Sequence, residues 1–329
     1  MMRRLLAFFD STAGRAARYG FSVLLIAALI WKVDWRAVER LRGQFAVGPA
    51  VLAALVAGAT FPLHAWRWWL LLRALGLSLP FRWAHTVTWI GTFYNAFLLG
   101  GLGGDAARVF YICRDEPDRK SAGVAATLLD RVLGLVVLMS VAACALFLEL
   151  RVVASHPQLR VLFGLCIVLA GSGVFVLIAL GCRPPVWFTR WIGVERATQL
   201  LAICQRAGSA KRALTAALIV SYGIWLMDFL SVWLLAQSIG FPLPFPEVCL
   251  TMSIAYAATV LPVSVGGHGV REGTMLGVLT LLGFVPGESA RQHALLLAVF
   301  VWAVSVFWSL IGGTVLLAAR RLLRPRQAA

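Results

Sequence analysis

Asn95-Ala-Phe-Leu-Leu-Gly-Gly-Leu-Gly-Gly-Asp105-Ala-Ala-Arg108 is the stretch on which the reading of this chain turns. It puts four glycines, an acid and an arginine inside a run that is otherwise apolar. A hydrocarbon interior satisfies neither loose backbone groups nor ions, so both occur at membrane depth only where protein encloses them. Leu261-Pro-Val-Ser264-Val-Gly-Gly-His268-Gly-Val-Arg271-Glu272-Gly repeats the grammar, with a glycine turn followed by an arginine beside an acid. Two such breaks, one in each half of a membrane chain, are the best sequence pointer to a transporter's binding site.

The surrounding composition agrees with a membrane setting. Sixty per cent of the 329 residues are hydrophobic and 13% are charged, more apolar than a soluble core of this size requires. The net charge of +16 would suggest nucleic acid in a soluble chain. Here the arginines fall mostly in short connections and near residue 320, where they orient the chain and meet anionic headgroups, so no nucleic-acid partner is expected. The six cysteines are scattered, with no CxxC and no histidine at ligand spacing, which argues against a disulfide framework or a metal centre. No cofactor is expected. The apolar segment 21–31 lacks a cleavage site and reads as a retained first span.

Runs able to cross about 30 Å of hydrocarbon at about 1.5 Å per residue occur at 47–72, 121–148, 159–180, 213–238 and 294–319, with a shorter one at 19–31. Stretches 83–112 and 248–284 do not fit this scheme. The limb from Asp105 to Ile112 reaches only about 12 Å before the charged run 114–120, too short to cross alone. If each broken stretch crosses once, there are eight spans and the basic loop 181–212 lies outside. If each dips in and returns, there are six spans and that loop is cytoplasmic, as short basic loops are. The second model also places Arg320, Arg321, Arg324 and Arg326 inside, while Lys32, Arg36, Arg40 and Arg42 fall outside in both models, against the rule, on a stretch read as an amphipathic segment lying on the surface.

The expected fold is therefore an all-α polytopic integral membrane protein, a single membrane domain over 1–329 with about six full spans and two broken re-entrant hairpins. Residues 1–150 form one repeat with its hairpin at 83–112, and residues 159–319 a second with its hairpin at 248–284. The hairpins open to opposite sides, which makes an inverted-topology repeat of the kind that supports alternating access.

Each intramembrane charge costs at least about 2.5–3.5 kcal/mol on insertion scales, so the few present carry information. Asp105 follows the glycines and can cap a half-helix, while Arg108 projects from its first turns. Ser264 or His268 can cap the second half-helix, with Arg271 in the matching place and Glu272 beside it. Two helix N-termini with an arginine each make a seat for a phosphate. The plainer alternative is that Asp105 with Arg108, and Arg271 with Glu272, neutralise locally. Asp130 and Arg131, adjacent within a span, point to different sides of the helix, so Arg131 is expected to meet Asp105 or Glu272. Asp228 and His268 are candidates for proton coupling, although a neutral carboxyl and a capping histidine would serve as structure. His64 and Arg67 sit where they can snorkel to the interface. Gly100, Gly101, Gly103 and Gly104, and Gly266, Gly267 and Gly269, are candidate hinges. The GxGxxA match at Gly101 to Ala106 lacks a βαβ context, and the tryptophans are explained by interfacial belts.

At these residues the chain resembles the flippase-like family that contains the membrane domain of lysylphosphatidylglycerol synthetase. The match rests on Asn95, Phe97, Gly100 to Gly104, Asp105 and Arg108, then Leu129, Asp130 and Arg131, then Pro262, Ser264, Gly266, Gly267, Gly269, Arg271 and Glu272. The resemblance implies movement of a lipid with a phosphate-bearing or modified headgroup between leaflets, with Arg108, Arg271 and Arg131 at the headgroup. The soluble aminoacyl-transfer domain of fused members has no counterpart after Arg326, so no enzymatic activity is expected. Expected partners are membrane lipids, an anionic or modified phospholipid or a polyprenyl or hopanoid lipid. The expected location is the bacterial inner membrane, with both termini cytoplasmic. The rival expectation is a non-transporting membrane subunit that docks a separate lipid-modifying enzyme.

Overall fold

The computed structural model describes residues 45–97, 103–179, 205–206, 208–259 and 270–319, and all regular structure among them is helical. In chain order the helices are α1 (Val47–Ala74), α2 (Phe81–Phe97), α3 (Gly103–Asp115), α4 (Lys120–Leu148), α5 (Leu150–Ser155), α6 (Pro157–Ala179), α7 (Lys211–Ser238), α8 (Phe245–Ala258), α9 (Val270–Leu281) and α10 (Glu288–Ala318). Five of these, α1, α4, α6, α7 and α10, are long and apolar enough to cross a membrane. They coincide with five of the six expected spans. The sixth, at 19–31, lies outside the described residues, as do both glycine turns from 98 to 102 and from 260 to 269, and nearly all of the 181–212 loop. α6 turns Val161, Val168 and Phe175 outward at heptad spacing, an apolar stripe fit to face lipid.

The broken stretches form short helices, as their interruptions require. α3 is longer than the sequence suggested, running from Gly103 through Asp115 into the charged segment. Its 13 residues span about 20 Å, still short of the hydrocarbon thickness. α2 and α3 lie antiparallel along their whole length. Near the open end Trp83 Nε1 donates to an Asp115 carboxylate oxygen at 2.7 Å. At the closed end the Gly104 N–H donates to Asn95 Oδ1 at 2.6 Å, and a Cβ on Gly91 would stand 3.2 Å from the Gly104 backbone. That is tighter than ordinary contact, so a side chain at Gly91 would push the two backbones apart. The chain thus returns to the side from which α2 started, and Arg119, just before α4, donates to the Gly76 carbonyl just after α1.

α1 and α7 make the most extensive pairing and also run antiparallel. The Ala46 N–H meets the Ser238 carbonyl, Ser231 Oγ donates to the Ala53 carbonyl at 2.9 Å, and Arg67 donates to Ser221 Oγ at 3.1 Å. The end where α1 closes and α7 opens carries Arg73, Arg82, Arg114, Arg119, Lys211 and Arg212. The opposite end carries Glu149, Glu247 and Glu288 with Arg160 and Arg291. Phe241, just after α7, packs on His293 near the start of α10, so the segment between them also leaves and returns at one end.

The corner from α1 to α2 is built twice. Gly76 (φ 87°) and Gly240 (φ 69°) adopt the left-handed conformation that closes a helix with reverse bonds. Leu77 N–H to the Leu72 carbonyl and Phe241 N–H to the Ala236 carbonyl are both 2.9 Å. Trp69 Nε1 donates to the Leu79 carbonyl at 2.9 Å, and Trp233 Nε1 to the Leu243 carbonyl at 3.1 Å, ten residues further along in both cases. Edge-to-face contacts of Trp69 with Phe81 and of Trp233 with Phe245 complete each corner. Because the latches are alike, Trp69→Phe and Trp233→Phe should each destabilise the protein by about 1 kcal/mol. Thermal unfolding in detergent checks this, and a loss confined to one variant contradicts the equivalence.

Candidate functional site

The site begins with a helix end. Asn95, near the end of α2, caps α3 through the Gly104 N–H, the role that sequence reading gave to Asp105. With its N-terminus fixed, α3 holds Arg108 in the second turn, buried to 8% exposure. Its guanidinium donates to Asp130 Oδ2 at 2.9 Å and reaches Thr88 Oγ1 of α2 at 3.4 Å. It lies 4.7 Å from the centre of the Trp68 ring, which in turn stacks on Trp83 at 5.7 Å.

Asp130 is 3% exposed and serves two arginines. Arg67 grips it in a fork, Nε to Oδ1 at 2.6 Å and Nη2 to Oδ2 at 3.0 Å, and spends Nη1 on Ser221 of α7. Arg67 does not snorkel to the interface. It is 5% exposed and joins α1, α4 and α7 at one point. Arg108 therefore pairs with Asp130 and not with Asp105, against the local neutralisation considered from sequence. Two cations share one anion here, and the triad carries a surplus positive charge.

Arg131, next to Asp130 in sequence, turns to another side of α4 and forms an ion pair with Asp105 of α3. Both side chains are about a quarter exposed. Asp130 and Arg131 thus bind α3 to α4 through two opposite pairings. On the second hairpin, Arg271 is buried to 8% in the first turn of α9. Ser264, His268, Gly266, Gly267 and Gly269 lie outside the described residues, as do Gly100, Gly101 and the Glu272 side chain, whereas Gly103 and Gly104 open α3. On α8 the hydroxyls of Thr251 and Ser253 and one Glu247 carboxylate oxygen are buried with no hydrogen-bond partner among the described residues. Asp228 lies half-buried on α7, on the same face as Ser221 and Trp225. No hydrogen bond or ion pair to it occurs among the described residues.

The sequence reading missed Arg67, Trp68, Thr88 and Ser221 as members of this site. For Arg67 a signal was present, since an arginine inside the 47–72 hydrophobic run is costly wherever its end lies. For Thr88 and Ser221 there was none, because a hydroxyl in an apolar helix can bond its own backbone, as Ser221 also does to Ala217. Among the described residues no cluster of His, Cys, Asp and Glu is arranged to hold a metal ion.

Removing the shared anion leaves two buried cations facing each other, so Asp130→Asn should cost about 3–5 kcal/mol. Asp105→Asn, at the more exposed pair, should cost about 1 kcal/mol or less. Thermal unfolding of the two purified variants in one detergent gives the order, and an equal loss contradicts it.

No curated protein matches the chain at a significant level. The family model described as the lysylphosphatidylglycerol synthase TM region matches residues 15–312. With that match over most of its length, this multi-pass, all-helical membrane protein belongs to the lysylphosphatidylglycerol synthase TM region family.

Proposed function

We propose that the chain moves a lipid with a phosphate-bearing or modified headgroup from one leaflet to the other, its head passing Arg108 and Arg271 while the tails stay in the bilayer. The observation that carries this reading is the surplus cation of the Arg67, Asp130 and Arg108 triad. Arg67 alone can neutralise Asp130 through its fork, which leaves the Arg108 charge for an anionic headgroup. Permanent structural charges in hydrocarbon would be expected to balance. The unpartnered hydroxyls of Thr251 and Ser253 add donors on the second hairpin.

The route follows from an inverted repeat, in which α1 to α4 correspond to α7 to α10. Three features support it. The corner after α1 recurs after α7 in its two reverse bonds and its tryptophan latch. α1 and α7 run antiparallel, so the two corners sit at opposite ends. Each half lends its last span to the other half's hairpin, α10 packing on α2 and α4 on α8. Such exchange lets one hairpin loosen as the other tightens, giving two conformations of similar energy. The excess of arginine and lysine at the end where α1 closes supports a cytoplasmic position for that end. This reading takes the membrane as the bacterial inner membrane with both termini cytoplasmic, and it requires no chemical step of the protein.

Reconstituted into vesicles, the purified protein should bring a fluorescent phosphatidylglycerol from the inner leaflet to an impermeant quencher, and Arg108→Ala with Arg271→Ala should abolish this. Wild-type vesicles that leave the label in place would instead favour the docking-subunit reading. For the topology, an impermeant maleimide should reach Glu116→Cys only from the cytoplasmic face and Glu288→Cys only from the opposite face. Labelling of both from one face contradicts the inverted arrangement.

A further inference from the structure

We propose that the corner at Gly76 is a binding site for the phosphate of an anionic lipid in the adjoining leaflet, separate from the Arg108 and Arg271 path. Arg119 donates to the Gly76 carbonyl. Arg206 approaches from the segment before α7. A Cβ built on Gly76 would stand 3.4 Å from an Arg206 Nη1 and 3.9 Å from an Arg119 Nη1. Two exposed guanidinium groups thus converge on one point, and no carboxylate among the described residues pairs with either. The nearby Asp115 is already taken by Trp83 and Arg114. A third arginine, Arg73, lies over Trp69 in the last turn of α1.

The duplicated corner supplies an internal control. At Gly240 the same left-handed turn, reverse bonds and tryptophan latch form with nothing within 4 Å of the corresponding position. Gln237 and not arginine is bonded through its carbonyl there, where Arg73 is bonded at the first corner. The fold of the corner therefore does not require the arginines, and their convergence is an added feature. Like charges so placed repel each other unless an anion lies between them. Guanidinium forks suit the oxygens of a phosphate. The depth suits a headgroup, because Trp69 at this corner is a residue type of the membrane interface. Phe81 is exposed beside it as a surface for acyl chains.

The test is retention of phosphatidylglycerol or phosphatidylcholine by the full-length protein in detergent, followed by native mass spectrometry. Two interfacial cations are worth about thirtyfold in affinity for an anionic lipid. Arg119→Gln with Arg206→Gln should lose phosphatidylglycerol by about that factor, leave phosphatidylcholine unchanged and unfold near the wild-type temperature. The loss on removing Arg119 and Arg206 should be about the same factor in an Arg108→Gln background, and this holds whether or not the protein moves lipid. Equal retention by the double variant and the wild type overturns the proposal. So does failure of the double variant to fold, since the arginines would then be part of the corner's construction. Complete displacement of phosphatidylglycerol by millimolar inorganic phosphate overturns it as well, by assigning the corner to a free anion.

Discussion

A buried carboxylate holds this structure together. Asp130 lies within a span where an isolated ion would be prohibitively costly, and its two oxygens draw Arg67 from α1 and Arg108 from α3 onto α4. Through Arg67 the same network reaches Ser221 on α7, and through Arg108 it reaches Thr88 on α2. Five helices that are otherwise greasy and weakly specific are given one register. Lipid supplies little hydrophobic drive for helices to associate, so polar contacts of this kind and close glycine packing must supply specificity.

Glycine does the complementary work. Gly91 lets α2 and α3 approach backbone to backbone, and Gly312 brings α10 against the Trp89 carbonyl of α2, where a Cβ would stand 2.3 Å away. These contacts bury Gly103 and Gly104 at a helix N-terminus that Asn95 caps from its exposed side. A half-helix that ends in the interior points its unpaired N–H groups at whatever occupies the space beyond, which makes such an end suited to an anion. The Arg131 and Asp105 pair then holds that half-helix to the same span that carries Asp130.

The two corners show how a duplicated element keeps its form while its surroundings diverge. Their reverse bonds and tryptophan latches are the same, yet arginines gather at one and, among the described residues, none gathers at the other. The difference follows the charge asymmetry of the two ends, and it shows which parts of the corner serve folding and which are free for another use.

The sequence by itself determined the membrane class, five of the spans and the two interruptions, because hydropathy over some twenty residues and a glycine run are local properties that no packing can hide. It also determined that Asp130 and Arg131 turn away from each other, since helical pitch alone separates neighbours. Only the tertiary structure decided the partners. That Arg108 meets Asp130 and not Asp105, that Arg67 is buried and does not reach for the interface, and that Asn95 provides the cap all depend on how α1, α3, α4 and α7 come together. A charge in hydrocarbon announces that it needs a counter-charge. Which one it finds is a matter of distances between helices far apart in the chain, and no spacing along a single helix records them.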